Sequence, residues 1–349
     1  MAKDFTILVG TIGNGLWRSA DGGESFSWVK GIASVDLVVR GFGVDPHDPQ
    51  HVLVGTGILH TTPETPLVGT RHGLHESFDG GASWSPIESF RGIECWRITF
   101  DPSRPGRYYV GTRPAKIYRT TDGGASFAKL SLDVGETCFG IGLPRVTNIA
   151  IHPKDPDVLL ASIEIGGAHR SLDGGETWEQ VMTGIETPPP HGNVFGPEGR
   201  LDCHFSGISV GDPDLMLVAT PDGAYQSRDL GQTWSDFPTK SVFATQYHRD
   251  FIMKSDDPNT ILWAIGEDTA GQQGAVLITR DRGATWGTAD LPVELNSPAW
   301  AFAQHPSDPE TILVASHNGQ LFVTHDGGHT WSKTRREFTE IRGMCWLPA

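Results

Sequence analysis

Residues 19–26 read Ser-Ala-Asp-Gly-Gly-Glu-Ser-Phe (SADGGESF), and the same arrangement returns as SFDGGASW (77–84), TTDGGASF (120–127), SLDGGETW (171–178), SRDLGQTW (227–234), TRDRGATW (279–286) and THDGGHTW (324–331). The aspartates, Asp21, Asp79, Asp122, Asp173, Asp229, Asp281 and Asp326, recur along nearly the whole chain. Each is preceded two places earlier by Ser or Thr and followed by Gly at the second place, Ser or Thr at the fourth and an aromatic at the fifth. An aspartate accepts hydrogen bonds from turn N–H groups, Gly enters backbone conformations closed to other residues, and the hydroxyls tie the turn to itself. Catalytic constellations are asymmetric, so a motif repeated seven times reads as a strut of the fold.

A second pattern accompanies the first: a Pro-containing turn followed by a β-branched run ending in a small residue, as in DPHDPQHVLVGT (45–56), DPSRPGRYYVGT (101–112), HPKDPDVLLAS (152–162) and HPSDPETILVAS (305–316). Each unit then holds four short strands: A before the Pro turn, B in the β-branched run, C leading into the Asp motif and D leaving it. Four strands per repeat predict the blades of a β-propeller. The first Asp motif has a strand B before it (FTILVGT, 5–11) but no strand A, whereas the last is followed by an orphan A-like segment, EIRGMCWLP (340–348). The expectation is an all-β, seven-bladed propeller of four antiparallel strands per blade, one domain over 1–349, closed by the C-terminal strand joining the N-terminal blade.

The Ser/Thr-x-Asp-x-Gly-x-Thr/Ser-Trp/Phe pattern resembles the Asp-box, or BNR, repeat of sialidase-type and xyloglucanase-type propellers and of photosystem II assembly factors, over essentially the full length. The resemblance implies that the motif is the C–D turn at the edge away from the active face. It specifies the fold and not the chemistry, because such propellers include glycosidases, other enzymes and pure binding scaffolds. A sialidase would need an arginine triad, a Tyr nucleophile with a Glu partner and an acid Asp; CWRITF around Arg97 only faintly matches, and Tyr247 is the sole tyrosine outside scaffold positions. A xyloglucanase-type enzyme would pair two carboxylates across a long groove, generally between two propellers of a secreted protein.

Composition narrows the partners. With 349 residues, 43 Gly and 24 Pro, the chain suits a turn-rich all-β fold, and a formal net charge of -15 argues against nucleic acid. No apolar run is long enough to cross a bilayer, and four cysteines without paired spacing suit reduced thiols, so a cytoplasmic location and no membrane partner are expected.

Alternating strands place the A–B and C–D turns on one face and the longer B–C and D–A connections, such as 57–72, 131–146 and 183–205, on the other, which is the expected binding face. Of the 14 histidines, His47, His51, His152, His305, His325 and His329 belong to the first face, and His75 and His169 fall in a packing column with Trp17, Tyr118, Tyr225, Leu277 and Phe322. His60, His72, His191, His204, His248 and His317 remain. His204, His248 and His317, with Glu267, are the expected catalytic group, and His60, His204, His248 and His317 the expected ligands of one divalent metal ion, the candidate cofactor. Glu164, Asp222 and Asp268 are further acids, and Arg113 a further cation, on the B–C connections.

Arg40, Arg97, Arg249 and Arg342, with Trp96 and Trp300, are the expected substrate-binding residues, and Arg145, Phe205 and Tyr247 lie close by. Arg40, Arg249 and Arg342 share a repeat position with the two tryptophans, and guanidinium forks suit carboxylate or phosphate. The favoured expectation is a cytoplasmic hydrolase or lyase acting on a small anionic or sugar-like molecule at the channel top, metal-assisted. The alternative is a non-catalytic scaffold holding a protein or peptide on its arginine-rich face. The enzyme requires that the histidines converge in one pocket; the scaffold predicts them dispersed.

Overall fold

The β-branched runs form strands because their stiff side chains pack on a pleated surface, and the Asp-Gly turns reverse the chain between them. In the computed structural model, which describes residues 5–32, 37–58, 72–134, 143–182, 185, 202–221, 223–239, 247–268 and 271–349, these strands assemble into seven four-stranded antiparallel sheets. The inner strands A are Ile341–Pro348, Leu37–Val44, Glu94–Phe100, Arg145–Ile151, Phe205–Ile208, Tyr247–Met253 and Ala299–His305, for blades one to seven. Successive inner strands pack side by side around the ring. Blade one is the closing blade: Ile341–Pro348 pairs antiparallel with Phe5–Thr11, with Ile7 opposite Trp346 and Val9 opposite Met344. Regular helix among the described residues is limited to one 3₁₀ turn, Glu88–Phe90.

The seven Asp motifs make one hydrogen-bond pattern. In the third, the Thr120 hydroxyl donates to Asp122 Oδ1 at 2.7 Å, Gly124 N–H donates to Thr120 Oγ1 at 3.0 Å, and Ser126 donates its N–H to Oδ1 at 2.9 Å and its hydroxyl to Oδ2 at 2.6 Å. Both residues after the Asp are left-handed, so the two motifs lacking Gly at the first place hold Leu230 at φ 58° and Arg282 at φ 60°. In five blades the same turn donates an N–H to the A–B turn or its flank, from Gly80 to Gln50 O, Gly123 to Gly106 O, Gly174 to Asp157 O, Arg282 to Asn259 O and Gly327 to Glu310 O, which puts both turns on one face. The first-face histidines serve these turns: His152 Nδ1 accepts the N–H of Lys154 and of Asp155, as Asp45 Oδ1 accepts that of His47. His75 and His169 are buried, and burial pushes both down to about 4.

Strand B carries a small residue where the next blade arrives. A Cβ on Gly10 would lie 2.5 Å from Val39 O, and one on Gly55 2.4 Å from Cys95 O. Those carbonyls belong to the inner strand of the following blade, so the missing side chain lets the blades close on the axis.

Two outcomes test this account. Gly55→Ala forces backbone apart and is expected to cost about 1–3 kcal/mol in urea unfolding, whereas Gly287→Ala, where an added Cβ meets nothing within 4 Å, leaves stability unchanged or slightly higher. Hydroxyl and turn N–H donors hold Asp21, Asp122 and Asp229 at about 2, below the ordinary 3.8. Since the folded value lies below the unfolded one, their contribution is complete above about pH 4 and is lost as pH falls toward 2. Asp122→Asn should flatten the pH dependence of the unfolding midpoint in that window.

Candidate functional site: an arginine and tryptophan ring at the channel mouth

The inner strands do not pair evenly with strand B. In six blades the register slips by one residue near the start of strand A, between Val39 and Gly41, Cys95 and Arg97, Val146 and Asn148, His248 and Asp250, and Ala299 and Ala301, and opposite Gly10 and Thr11 in the closing blade. The residues left over are Arg40, Trp96, Thr147, Arg249, Trp300 and Arg342. A β-bulge frees its extra residue from the ladder and re-aims its side chain. In blade five the strand begins one residue later, at Phe205, and His204 takes the equivalent place. All seven line the central channel, a cavity of about 450 Å³.

Neighbouring members of this ring stack. The Arg40 guanidinium lies 3.8 Å from the Trp96 ring centroid and that of Arg145 4.2 Å from the same ring; Arg249 and Arg342 lie 4.1 and 5.0 Å from Trp300. Such contacts contribute about 0.5–2 kcal/mol each. One residue further along, Arg97 lies 5.2 Å from the Phe205 ring.

Counter-charges are distributed unequally. Arg145 pairs with Glu164, Arg342 donates to Glu340 at 2.6 Å, and Arg113 lies 3.8 Å from buried Glu94, which also accepts the Trp96 indole N–H at 2.7 Å. Arg40, Arg97 and Arg249 make no ion pair with any described residue, and the Nε atoms of Arg40 and Arg97 are buried without a hydrogen-bond partner. Burial, then the charges of Arg342, Arg113 and Arg249, push Arg40 down to about 9 against the pull of Glu94, so it remains a cation at neutral pH. Asp250, between Arg97 and Arg249, moves the other way: burial raises it to about 6, although it accepts N–H groups from Phe302 at 2.9 Å and Phe251 at 2.8 Å.

The expected substrate-binding residues Arg40, Arg97, Arg249, Arg342, Trp96 and Trp300 therefore all reach one cavity. The expected catalytic and metal group does not gather. His248 is fully buried, its ring 5.8 Å from Trp263 and edge-on, because the bulge that sends Arg249 to the channel turns the preceding side chain into the blade. His317 packs 4.4 Å from the Trp300 ring, bonds Asn318 and lies 3.5 Å from Glu340. Glu267 is exposed and accepts the N–H of Gln272 within its own B–C turn. His204 remains in the ring, and His60, His191 and Asp222 lie outside the described residues. Sequence reasoning missed Glu94, Asp202 and Asp250; the last adjoins Arg249 and carried no motif of its own.

Fold and ring define a seven-bladed Asp-box propeller with a cationic, aromatic channel mouth. The family model described as Sortilin, neurotensin receptor 3 matches residues 72–189 and 222–346, well over half of the chain, and the chain belongs to this Sortilin-Vps10 family. Among curated relatives, a xyloglucanase of Paenibacillus sp is 24% identical over 340 residues, covering 83% of this chain and 32% of the relative. The photosystem II assembly lipoprotein Ycf48 of Synechococcus sp. (strain CC9902) is 25% identical over 280 residues, covering 76% of this chain and 70% of the relative. The chain thus spans about a third of the length of the xyloglucanase. Two solved structures share the fold: YCF48 from Cyanidioschyzon merolae (TM-score 0.58, 15% identity, 87% of each chain) and the GH74 xyloglucanase from Xanthomonas campestris (TM-score 0.57, 14% identity, 95% of this chain and 59% of that one).

Arg40 is charged at neutral pH with no ion pair among the described residues to offset its desolvation, so its replacement should relieve the fold. Arg40→Met is expected to raise the unfolding free energy by about 1 kcal/mol, measured by urea denaturation at pH 7; a loss of stability would show that the guanidinium is structural.

Proposed function

We propose that this propeller binds rather than transforms its ligand, and that the ring at the channel mouth holds a carboxylate-rich segment of a protein partner. The observation that carries the reading is the set of three cavity-facing arginines, Arg40, Arg97 and Arg249, that make no ion pair with any described residue, while Arg113, Arg145 and Arg342 each make one. Guanidinium groups fixed over tryptophan rings are oriented in advance, and a bidentate carboxylate would replace the missing counter-charge. The dispersed histidines support binding over the imidazole-based hydrolysis expected from sequence. A cytoplasmic setting belongs to the proposal and is supported by the free thiols Cys95, Cys203 and Cys345.

Titration calorimetry with a short Asp/Glu-rich peptide and its Asn/Gln counterpart tests it. The acidic peptide should bind at least tenfold more tightly, weaken steeply with salt, and lose at least tenfold in the Arg40→Gln, Arg249→Gln double variant. Equal binding of the two peptides would overturn the reading.

One observation favours a second reading, hydrolysis of an acidic saccharide: Asp250 lines the cavity with its carboxyl raised to about 6, the protonation range of a general acid. On that reading acidic oligosaccharides are cleaved, the rate falls as pH rises above about 6 because Asp250 loses its proton, and Asp250→Asn abolishes turnover; an unchanged rate in Asp250→Asn excludes it.

A further inference from the structure

The segment entering blade five brings together three ligating side chains of two chemistries. Glu164 ends strand B of blade four, Leu159–Glu164, and Asp202 and His204 precede the inner strand Phe205–Ile208. One ligand atom from each lies within 4.8 Å of the other two. The His204 side chain is 3% exposed and that of Asp202 13%. The backbone holds them in place: Cys203 O accepts the Thr147 hydroxyl at 2.8 Å, and His204 N–H donates to Ala219 O at 2.9 Å.

The imidazole is oriented by its far nitrogen. His204 Nδ1 lies 2.6 Å from the carbonyl oxygen of His248, and a carbonyl can only accept, so Nδ1 carries the proton. In the neutral tautomer this leaves Nε2 as the nitrogen with the lone pair, and Nε2 faces Asp202 Oδ2 at 3.4 Å. That separation is longer than the roughly 2.7–2.9 Å of a charge-assisted hydrogen bond. It matches the edge between two donors of a tetrahedral cation whose bonds are about 2.0–2.2 Å. The other oxygen, Asp202 Oδ1, is buried without a hydrogen-bond partner. An Nδ1–H bonded to a backbone carbonyl is also the usual support of a metal-bound histidine.

We propose that Glu164, Asp202 and His204 form a site for one divalent transition-series cation, zinc by donor set and size, with a remaining coordination position open to the channel that His204 lines. Two carboxylates and one imidazole are a mixed hard and borderline set suited to zinc. Arg145 is the built-in competitor: it pairs with Glu164 and stacks on Trp96, so a cation must share that carboxylate with it. Arg145 and Arg249 both act on Asp202 as well, so a cation enters by displacing guanidinium charge from these carboxylates. The site does not depend on the peptide reading, because zinc binding is measured with no peptide present.

Protein stripped with a chelator is titrated with Zn²⁺ against a chromophoric competitor, with thermal unfolding followed in parallel. The wild type should take up one equivalent with micromolar or tighter affinity and melt higher in zinc. His204→Gln and Asp202→Asn should each weaken uptake at least tenfold and lose the rise in Tm, while exposed His329→Ala leaves both unchanged and Arg145→Met tightens binding. If His204→Gln fails to fold, Asp202→Asn and Glu164→Gln carry the same comparison. No stoichiometric uptake by the wild type, or unchanged uptake in the folded variants, overturns the proposal.

Discussion

Seven inner strands must run side by side around one axis, and the space between strand B of one blade and strand A of the next admits only a glycine or an alanine. The contact of Gly55 with the Cys95 carbonyl is the tightest statement of this limit, and Gly10 with Val39 repeats it one blade earlier. Close approach alone would give a smooth wall. The one-residue bulge beside it expels a side chain toward the axis in six blades, and blade five supplies His204 at the same level. The site is therefore made by the same local geometry that closes the ring: the small residue admits the neighbour, and the neighbour's bulge furnishes the channel.

The motif that dominates the sequence lies at the other end of each blade. Its Ser/Thr, Asp and Gly positions are legible because every one serves a hydrogen bond within eight residues, and such local bonds leave the same imprint in each repeat. The strand order and the closure by Ile341–Pro348 followed from the phase of two repeated patterns, which needs no knowledge of packing. The ring residues were legible for a related reason: Arg40, Trp96, Arg249, Trp300 and Arg342 stand at a fixed distance before the A–B turn.

What escaped was the direction of side chains around the bulges. His248 and Arg249 are adjacent, and a regular strand would point them to opposite faces without saying which faces the axis. The slip opposite Ile265 and Ala264 decides it, sending Arg249 to the cavity and His248 against Trp263. A register shift is a property of two strands together, so neither strand's sequence announces it. Counter-charges were illegible for the same reason. Glu94 reaches Arg113, and Glu164 reaches Arg145, through pairing across strands.

A sevenfold scaffold does not by itself distinguish one position of its ring from another, so specificity has to come from the departures. Around the ring the order is Arg40, Trp96, Thr147, His204, Arg249, Trp300 and Arg342. Each tryptophan separates cations that would otherwise repel at close range, and its ring face offers them a partial negative charge that does not compete for their hydrogen bonds. The cations are thereby concentrated at the mouth of a chain whose net charge is -15. In the proposed binding role, the contrast between a net-negative chain and a cationic cavity favours an anion at the channel. The fourth and fifth blades interrupt this pattern with Thr147 and His204, the two members that are neither arginine nor tryptophan. Beside His204 lie two carboxylates, Glu164 and Asp202, the first of them paired with Arg145. The departures from sevenfold repetition therefore place the two proposed sites, for an anion and for a cation, at different arcs of one ring.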